Sequence, residues 1–312
     1  MPPTPVSDEH VHRLLERWFP DTGFTVERAG SGGSTPVYRV ELGEEIAWLR
    51  LAEHPGERRD AEARAHELAL GLGVRVPALL RYEPEPPELD RSAALTSTIS
   101  GVPLREYTGQ ADHAIRDAAA DLARLNAIPV TGYGWVETVE GDDRHLVAEH
   151  PVRATWTAEY AAAAATVAGA GILAEPAGFQ LADSIARWCA LPNEEASRLA
   201  HGDFDATHIH VDPETGAYQG MIDLGEIRGA DPMYDLGHAL AHGFDRRDRS
   251  IAQALIAAYA HHAPVDDDLV RLNAIAIATR ALAIQLDRSP NAYRSDLTTR
   301  LADLLAEGDR AT

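Results

Sequence analysis

The chain has 312 residues, 45% hydrophobic and 25% charged, which is the mix of an ordinary globular protein long enough for one large domain or two lobes. Its 49 acidic residues outnumber 28 Lys and Arg for a formal net charge of −21, a field that repels nucleic acid and anionic membranes and draws in cations. The single cysteine, Cys189, excludes an internal disulfide framework and fits a reducing, cytoplasmic setting, and residues 1–12 lack the basic and apolar blocks of a signal peptide.

Residues 8–18 read as an amphipathic helix with Val11, Leu14, Leu15 and Trp18 on one face. Residues 24–28 and 37–42 read as strands around Gly30-Ser31-Gly32-Gly33-Ser34. Such a turn exposes backbone N–H groups to which phosphate can come close, although it is no Walker A loop, having no Gly-Lys-Ser or Gly-Lys-Thr. A third strand over 46–51 carries Arg50, and the helix expected over 57–70 carries Asp60, Glu62 and Glu67. Residues 79–82 and 93–99 complete a small sheet.

After Gly101 the pattern turns mostly helical, with helical spacing over 115–126 and a helical tail over 251–305 that packs through Leu255, Tyr259, Leu269 and Leu282. The apolar stretch over 161–174 is too short for a membrane span and reads as a packed helix. Cys189, among Ile185, Trp188 and Leu191, reads as a buried structural thiol. Residues 137–195 show no recognisable chemistry and suit lid and substrate-facing helices.

The chemistry concentrates between residues 201 and 235. His201-Gly202-Asp203-Phe204-Asp205-Ala206-Thr207-His208 is followed by Met221-Ile222-Asp223 and by Asp231-Pro232-Met233-Tyr234-Asp235. Two isolated carboxylates, Asp203 and Asp223, each end or follow a short apolar strand. A base and a metal ligand so placed suit phosphoryl transfer, where the protein's task is positioning and charge neutralisation. Asp205 and Asp212 read as ordinary loop acids, the latter in a hairpin turn over 212–216, and Asp231 before Pro232 has the form of a helix N-cap. A zinc-binding reading of His208-Ile209-His210-Val211-Asp212 lacks a further clustered His or Cys, which leaves His210 as a partly buried strand residue.

In this order and separation the segments resemble the catalytic region of the aminoglycoside and macrolide phosphotransferases, small-molecule kinases built on the protein-kinase fold. The resemblance implies that Asp203 accepts the proton of the attacking hydroxyl and that Asp223 holds Mg²⁺ against the nucleotide phosphates. His208 stands where most of that family has a metal-binding Asn; imidazole can ligate a metal, though Mg²⁺ prefers oxygen. His in this place, with Gly220-Met221-Ile222-Asp223, is similar to the macrolide kinases in particular. Asp231 and Asp235 match a pair that begins a helix and braces the catalytic loop.

The resemblance extends towards the N-terminus. It places Ser31, Gly32, Gly33 and Ser34 over the phosphates, Arg50 in the role of the usual phosphate-binding Lys, and Glu62 as its helix-borne partner. The segment 96–99, with Thr96 and Thr98, falls where a linker pairs its backbone with the base of the nucleotide. Gly73-Val74-Arg75-Val76-Pro77 and the stretch over 122–129 also fit, with Asn126 in place of a common His as a structural change. The fold implied is α+β and two-lobed, protein-kinase-like, with a small β-rich nucleotide-binding lobe over 1–99 and a larger, mainly helical catalytic and substrate-binding lobe over 100–312. The activity implied is Mg²⁺-dependent transfer of the γ-phosphate of ATP or GTP to a hydroxyl of an aminoglycoside or macrolide, giving antibiotic resistance. The partners implied are a small, cationic substrate and a nucleoside triphosphate, with no nucleic acid and no membrane. Metabolite kinases of the choline, homoserine or sugar type share these motifs, and a catalytically silent nucleotide-binding pseudokinase is the alternative from another class.

Overall fold

The computed structural model describes residues 6–29, 36–191 and 197–308, so the turn bearing Ser31, Gly32, Gly33 and Ser34 lies outside the described residues. The first helix, α1 (Asp8–Trp18), starts where the Ser7 hydroxyl accepts from the His10 N–H. Strands β1 (Phe24–Arg28), β2 (Val37–Leu42) and β3 (Glu45–Leu51) follow, then α2 (Asp60–Gly71), β4 (Leu79–Glu83) and β5 (Ala93–Ser97). They form an antiparallel sheet in the order β1-β2-β3-β5-β4. Val11, Leu14 and Leu15 of α1 pack on Tyr38, Val40, Leu49, Leu51 and Leu95, while Trp18 stays at the edge and donates to Glu83. Alternation along β3 sends Ala47, Leu49 and Leu51 into this core and Arg50 to the opposite face. The second helix begins three residues later than the sequence pattern suggests. The Glu57 carboxylate instead accepts the N–H groups of Glu53 and His54 and closes a turn ahead of it.

Beyond residue 100 come β6 (Val102–Pro103), α3 (Asp112–Leu125), β7 (Pro129–Thr131), β8 (Tyr133–Glu140), β9 (His145–His150), α4 (Arg153–Gly169) and α5 (Glu175–Cys189). They are followed by β10 (Ser197–Ala200), β11 (Ile209–Val211), β12 (Tyr218–Met221), β13 (Arg228–Ala230), α6 (Tyr234–Ala241), α7 (Arg246–Tyr259), α8 (Asp267–Leu286) and α9 (Ala292–Gly308). This half is mainly helical, with two small sheet units set into it: a closed ring of β10-β13-β8-β9-β7 and the three strands β12-β11-β6. By length and composition α8 could cross a membrane, but Leu272, Ile275, Ala278 and Leu282 are buried against α4, α5, α6 and α9, which makes it the central packing helix of this half. Cys189 is only half-buried, at the end of α5, unlike its neighbour Trp188, which is fully buried.

The hairpin between β11 and β12 forms as the sequence suggests. The Asp212 carboxylate accepts from the N–H groups of Glu214 and Thr215. The chain thus divides into a small sheet-rich part and a larger, mainly helical part, with Arg50, Glu62, Thr96, Thr98 and Asp223 at their junction.

Candidate active site

A cavity of about 490 Å³ opens between the two parts, lined on one side by Trp48, Arg50, Glu62, His66, Thr96 and Thr98 and on the other by His210, Ile222 and Asp223. Thr96 and Thr98 turn their hydroxyls to the carbonyls of Trp48 and Ile46. The linker is shorter than its expected 96–99. Thr96 is still paired on both sides, with Trp48 and Leu79, so backbone free to meet a base begins only after β5 ends at Ser97.

The loop between β10 and β11 carries Asp203. His201 is fully buried, its Nε2 2.9 Å from the Ile222 carbonyl, and its Nδ1 accepts the Asp203 N–H at 3.4 Å. Burial, then the neighbouring His208, pushes the His201 imidazole down to about 4, so it is a neutral strut between the two acidic segments. Gly202 has φ of +87°, and a Cβ there would overlap the Glu226 carbonyl oxygen, so only glycine fits the turn that presents Asp203. Asp235, in the first turn of α6, accepts from the N–H groups of His201 and Gly202 and from the Asn126 amide, each at 2.9 Å. Asn126 also donates to the Leu199 carbonyl and accepts from the Tyr259 hydroxyl, so the residue in place of His fastens α3 and α7 to the same loop.

The Asp203 side chain is 37% exposed. His208 Nε2 lies 3.8 Å from its Oδ2, and His208 Nδ1 lies 3.6 Å from Asp205. Asp205 also accepts the Thr207 N–H at 2.7 Å, so this loop acid shapes the turn as well as neighbouring the site. His208, His210 and Asp212 go to three places: the loop, the cavity wall and the hairpin turn. They form no common metal site.

Asp223 follows β12 with φ of +67°, one of two non-glycine residues with positive φ among the described residues. It accepts the Gly225 N–H and pairs with Arg50 at 2.7 Å, while Arg50 reaches Glu62 at 3.4 Å. Burial raises the Asp223 carboxyl, but the charge and hydrogen bond of Arg50 outweigh it, so the group is held below its usual range and ionised. An ionised carboxylate beside the loop bearing Asp203 and His208 is an oxygen-rich donor set, which fits a divalent cation. The competing acids face elsewhere: Asp60 pairs with Arg58, and Glu67 with Arg64 and Arg144.

Asp231 is half-buried in a supporting position. It caps the turn into α6 through the Met233 N–H and accepts from Asn273, and burial pushes its carboxyl up. One acid and one base escape the sequence pattern. Glu226 sits near Asp203 and Asp223, its carboxyl raised by burial and by their negative charge against the lowering pull of Arg228. His238 reaches Asp203 from α6, with its Nε2 3.2 Å from Oδ1. Only the helix is visible in the sequence, not its docking.

The sequence profile of the phosphotransferase enzyme family matches residues 25–275. A relative, the aminoglycoside 3'-phosphotransferase of Streptomyces ribosidificus, is 28% identical over 240 residues, covering 73% of this chain and 83% of the relative. Among solved structures, a thermostable mutant of aminoglycoside phosphotransferase APH(4)-Ia in ternary complex with AMP-PNP and hygromycin B superposes with a TM-score of 0.70 at 14% identity, covering 96% of this chain and 98% of that one. The GDP complex of aminoglycoside 2'-phosphotransferase-IIIa gives a TM-score of 0.62 at 17% identity, covering 97% of this chain and 100% of that one. These neighbours share the kinase-like fold. With its profile match spanning most of the sequence, the chain belongs to the phosphotransferase enzyme family.

Proposed function

We propose that the protein moves the γ-phosphoryl group of a nucleoside triphosphate, ATP or GTP, onto a hydroxyl of an aminoglycoside and so inactivates the antibiotic. The observation that carries this reading is a cavity of about 490 Å³ that gathers Arg50, Glu62 and Asp223, with the loop bearing Asp203 hydrogen-bonded to Ile222 of its wall. The acceptor class is supported by the named activity of the relative and by the net charge of −21, which favours a polycation. Glu226, near Asp203 and Asp223, adds a third acid to this site.

In the step proposed, the acceptor oxygen attacks the γ-phosphorus in line, its proton passes to Asp203, and the bond to the β-phosphate oxygen breaks to release the nucleoside diphosphate. Arg50, braced by Glu62, would hold the phosphates through two charge-assisted hydrogen bonds. Asp223, with His208 beside the loop, would hold Mg²⁺, which supplies charge neutralisation at the phosphates when bound. The segment between Ser97 and Gly101 would serve as the hinge between a nucleotide lobe and an acceptor lobe. His208 supports a macrolide as a second acceptor class, because imidazole in this place is similar to the macrolide kinases.

The test is a Mg²⁺-dependent transfer assay with ATP and GTP against kanamycin, hygromycin B, a macrolide and small amino-alcohols. Transfer to an aminoglycoside is expected, with Asp203→Ala lowering turnover by about a thousandfold or more while nucleotide affinity stays within roughly threefold. Normal turnover in Asp203→Ala would remove Asp203 as the base. Transfer to an amino-alcohol alone would replace the antibiotic reading with a metabolite kinase.

A further inference from the structure

His66 lies one helical turn after Glu62 on α2, is 4% exposed, and lines the cavity between the two parts. Its Nδ1 is 2.9 Å from the Pro77 carbonyl, which can only accept, so the ring hydrogen sits on Nδ1. Burial holds the ring below the ordinary histidine value, so it carries that one hydrogen and no second. Nε2 is therefore a lone pair directed away from Pro77, and no hydrogen-bond partner meets it among the described residues.

The surroundings of this nitrogen narrow what can meet it. Pro77 leads into β4, whose Leu79 pairs with Thr96, so the ring stands near the end of β5, where backbone free to meet a base begins. Ala63, Pro77, Leu79 and Ala94 make this part of the lining apolar. The Thr96 hydroxyl is turned to the Trp48 carbonyl, and Glu62 is taken by Arg50 and Arg59. A polar group that arrives here gives up water and regains a hydrogen bond only if it brings a hydrogen to Nε2. One that brings a lone pair is repelled and left unpaired.

We propose that His66 Nε2 accepts a hydrogen from the 6-amino group of adenine and so makes the protein prefer ATP to GTP, an inference that rests on the reading of this cavity as the nucleotide site. In this pose the phosphates lie at Arg50 and Asp223, the base edge lies against the backbone beyond Ser97, and the purine 6-position points inward to His66. Adenine carries an amino group there, with one hydrogen for the backbone and one for Nε2. Guanine carries a carbonyl oxygen at the same atom, whose lone pairs would face that of Nε2.

Two substitutions separate the ring's two contacts. His66→Asn keeps a donor for Pro77 and loses the acceptor at the place of Nε2, whereas His66→Gln can keep that acceptor while losing the donor. Calorimetric titration with Mg²⁺ would compare ATP, GTP and purine riboside triphosphate, which has hydrogen in place of the 6-amino group, and thermal melts would run alongside. The wild type is expected to bind ATP about 3–10-fold more tightly than purine riboside triphosphate and about tenfold or more above GTP. The preference for ATP over purine riboside triphosphate should shrink about threefold or more in His66→Asn and stay within about twofold in His66→Gln. Wild-type protein that binds GTP as tightly as ATP overturns the inference. A preference that is unchanged in His66→Asn, or that shrinks equally in both variants, overturns it too. Arg50→Ala in the same titration tells the two readings apart. Unchanged ATP affinity there removes the nucleotide reading of the cavity first, whereas weakened ATP binding with an unchanged preference in His66→Asn removes His66 alone.

Discussion

Arg50 holds two carboxylates from distant parts of the chain, Glu62 on α2 and Asp223 after β12. Burial alone would push its guanidinium down, but Glu62 and Asp223 together hold it above its ordinary value, so it is a fixed charge. A lysine ammonium is a compact point charge that cannot span both acids. Arg50→Lys should therefore weaken nucleotide binding about 5–10-fold and Arg50→Ala about 10–100-fold, read by nucleotide titration. Unchanged affinity in Arg50→Ala would mean that this side chain does not meet the phosphates. The pairing with Glu62 is legible in the sequence only through the family resemblance, because the same helix also offers Asp60 and Glu67. The contact between His238 and Asp203 is not legible. His238 has ordinary helical surroundings in sequence, and only the docking of α6 reveals which face meets the loop.

At the scale of elements, the start of α6 is the piece that holds the catalytic loop together. Asp235 is fully buried and accepts from three donors, which offset only part of the upward push that burial gives its carboxyl. Asp235→Asn keeps the shape but turns an N–H₂ group towards N–H donors, leaving at least one buried donor unpaired at a cost of about 1–3 kcal/mol. The variant should melt earlier and lose most of its turnover, measured by calorimetry and kinetics on one preparation. A wild-type melting temperature would show that the loop is held some other way. The Asp-Pro-x-x-Asp pattern announces this helix start, yet it does not say that Asn126, far away on α3, completes the acceptor's set of donors. The short strands β6, β7, β10, β11 and β13 are hidden from sequence for a different reason. Two to four residues leave no room for apolar alternation, and their pairing comes from long-range closure of the ring and the three-stranded sheet.

For the molecule as a whole, His66, His201, His210 and His238 are all held below the ordinary histidine value by burial, His201 at about 4. The unfolded chain takes up protons at these rings as pH falls through about 6.5, while the folded chain resists until lower pH. Their contribution is therefore complete above about pH 6.5 and is lost on acidification, down to about pH 4 for His201. Asp231 and Asp235, raised by burial, act in the opposite sense at lower pH. The melting temperature should fall between pH 7 and pH 5, and less steeply in His66→Asn, whose amide can still donate to the Pro77 carbonyl that His66 Nδ1 now contacts at 2.9 Å. An identical slope in that variant would remove His66 from the account. The division into a sheet-rich part and a helical part is legible from periodicity, but the allegiance of α2 is not. Sequence order places α2 with the small sheet, whereas it packs on β8 of the helical half more than on β4 of that sheet. Just after it, Arg75 is fastened to Asp121 of α3 and accepts the Met221 N–H. If α2 keeps its hold on β8 as the cleft widens, β3 would draw away from it, and the Arg50–Glu62 pair would lengthen in proportion to the opening. A distance probe across those two positions would report, in one number, how far the jaw stands ajar.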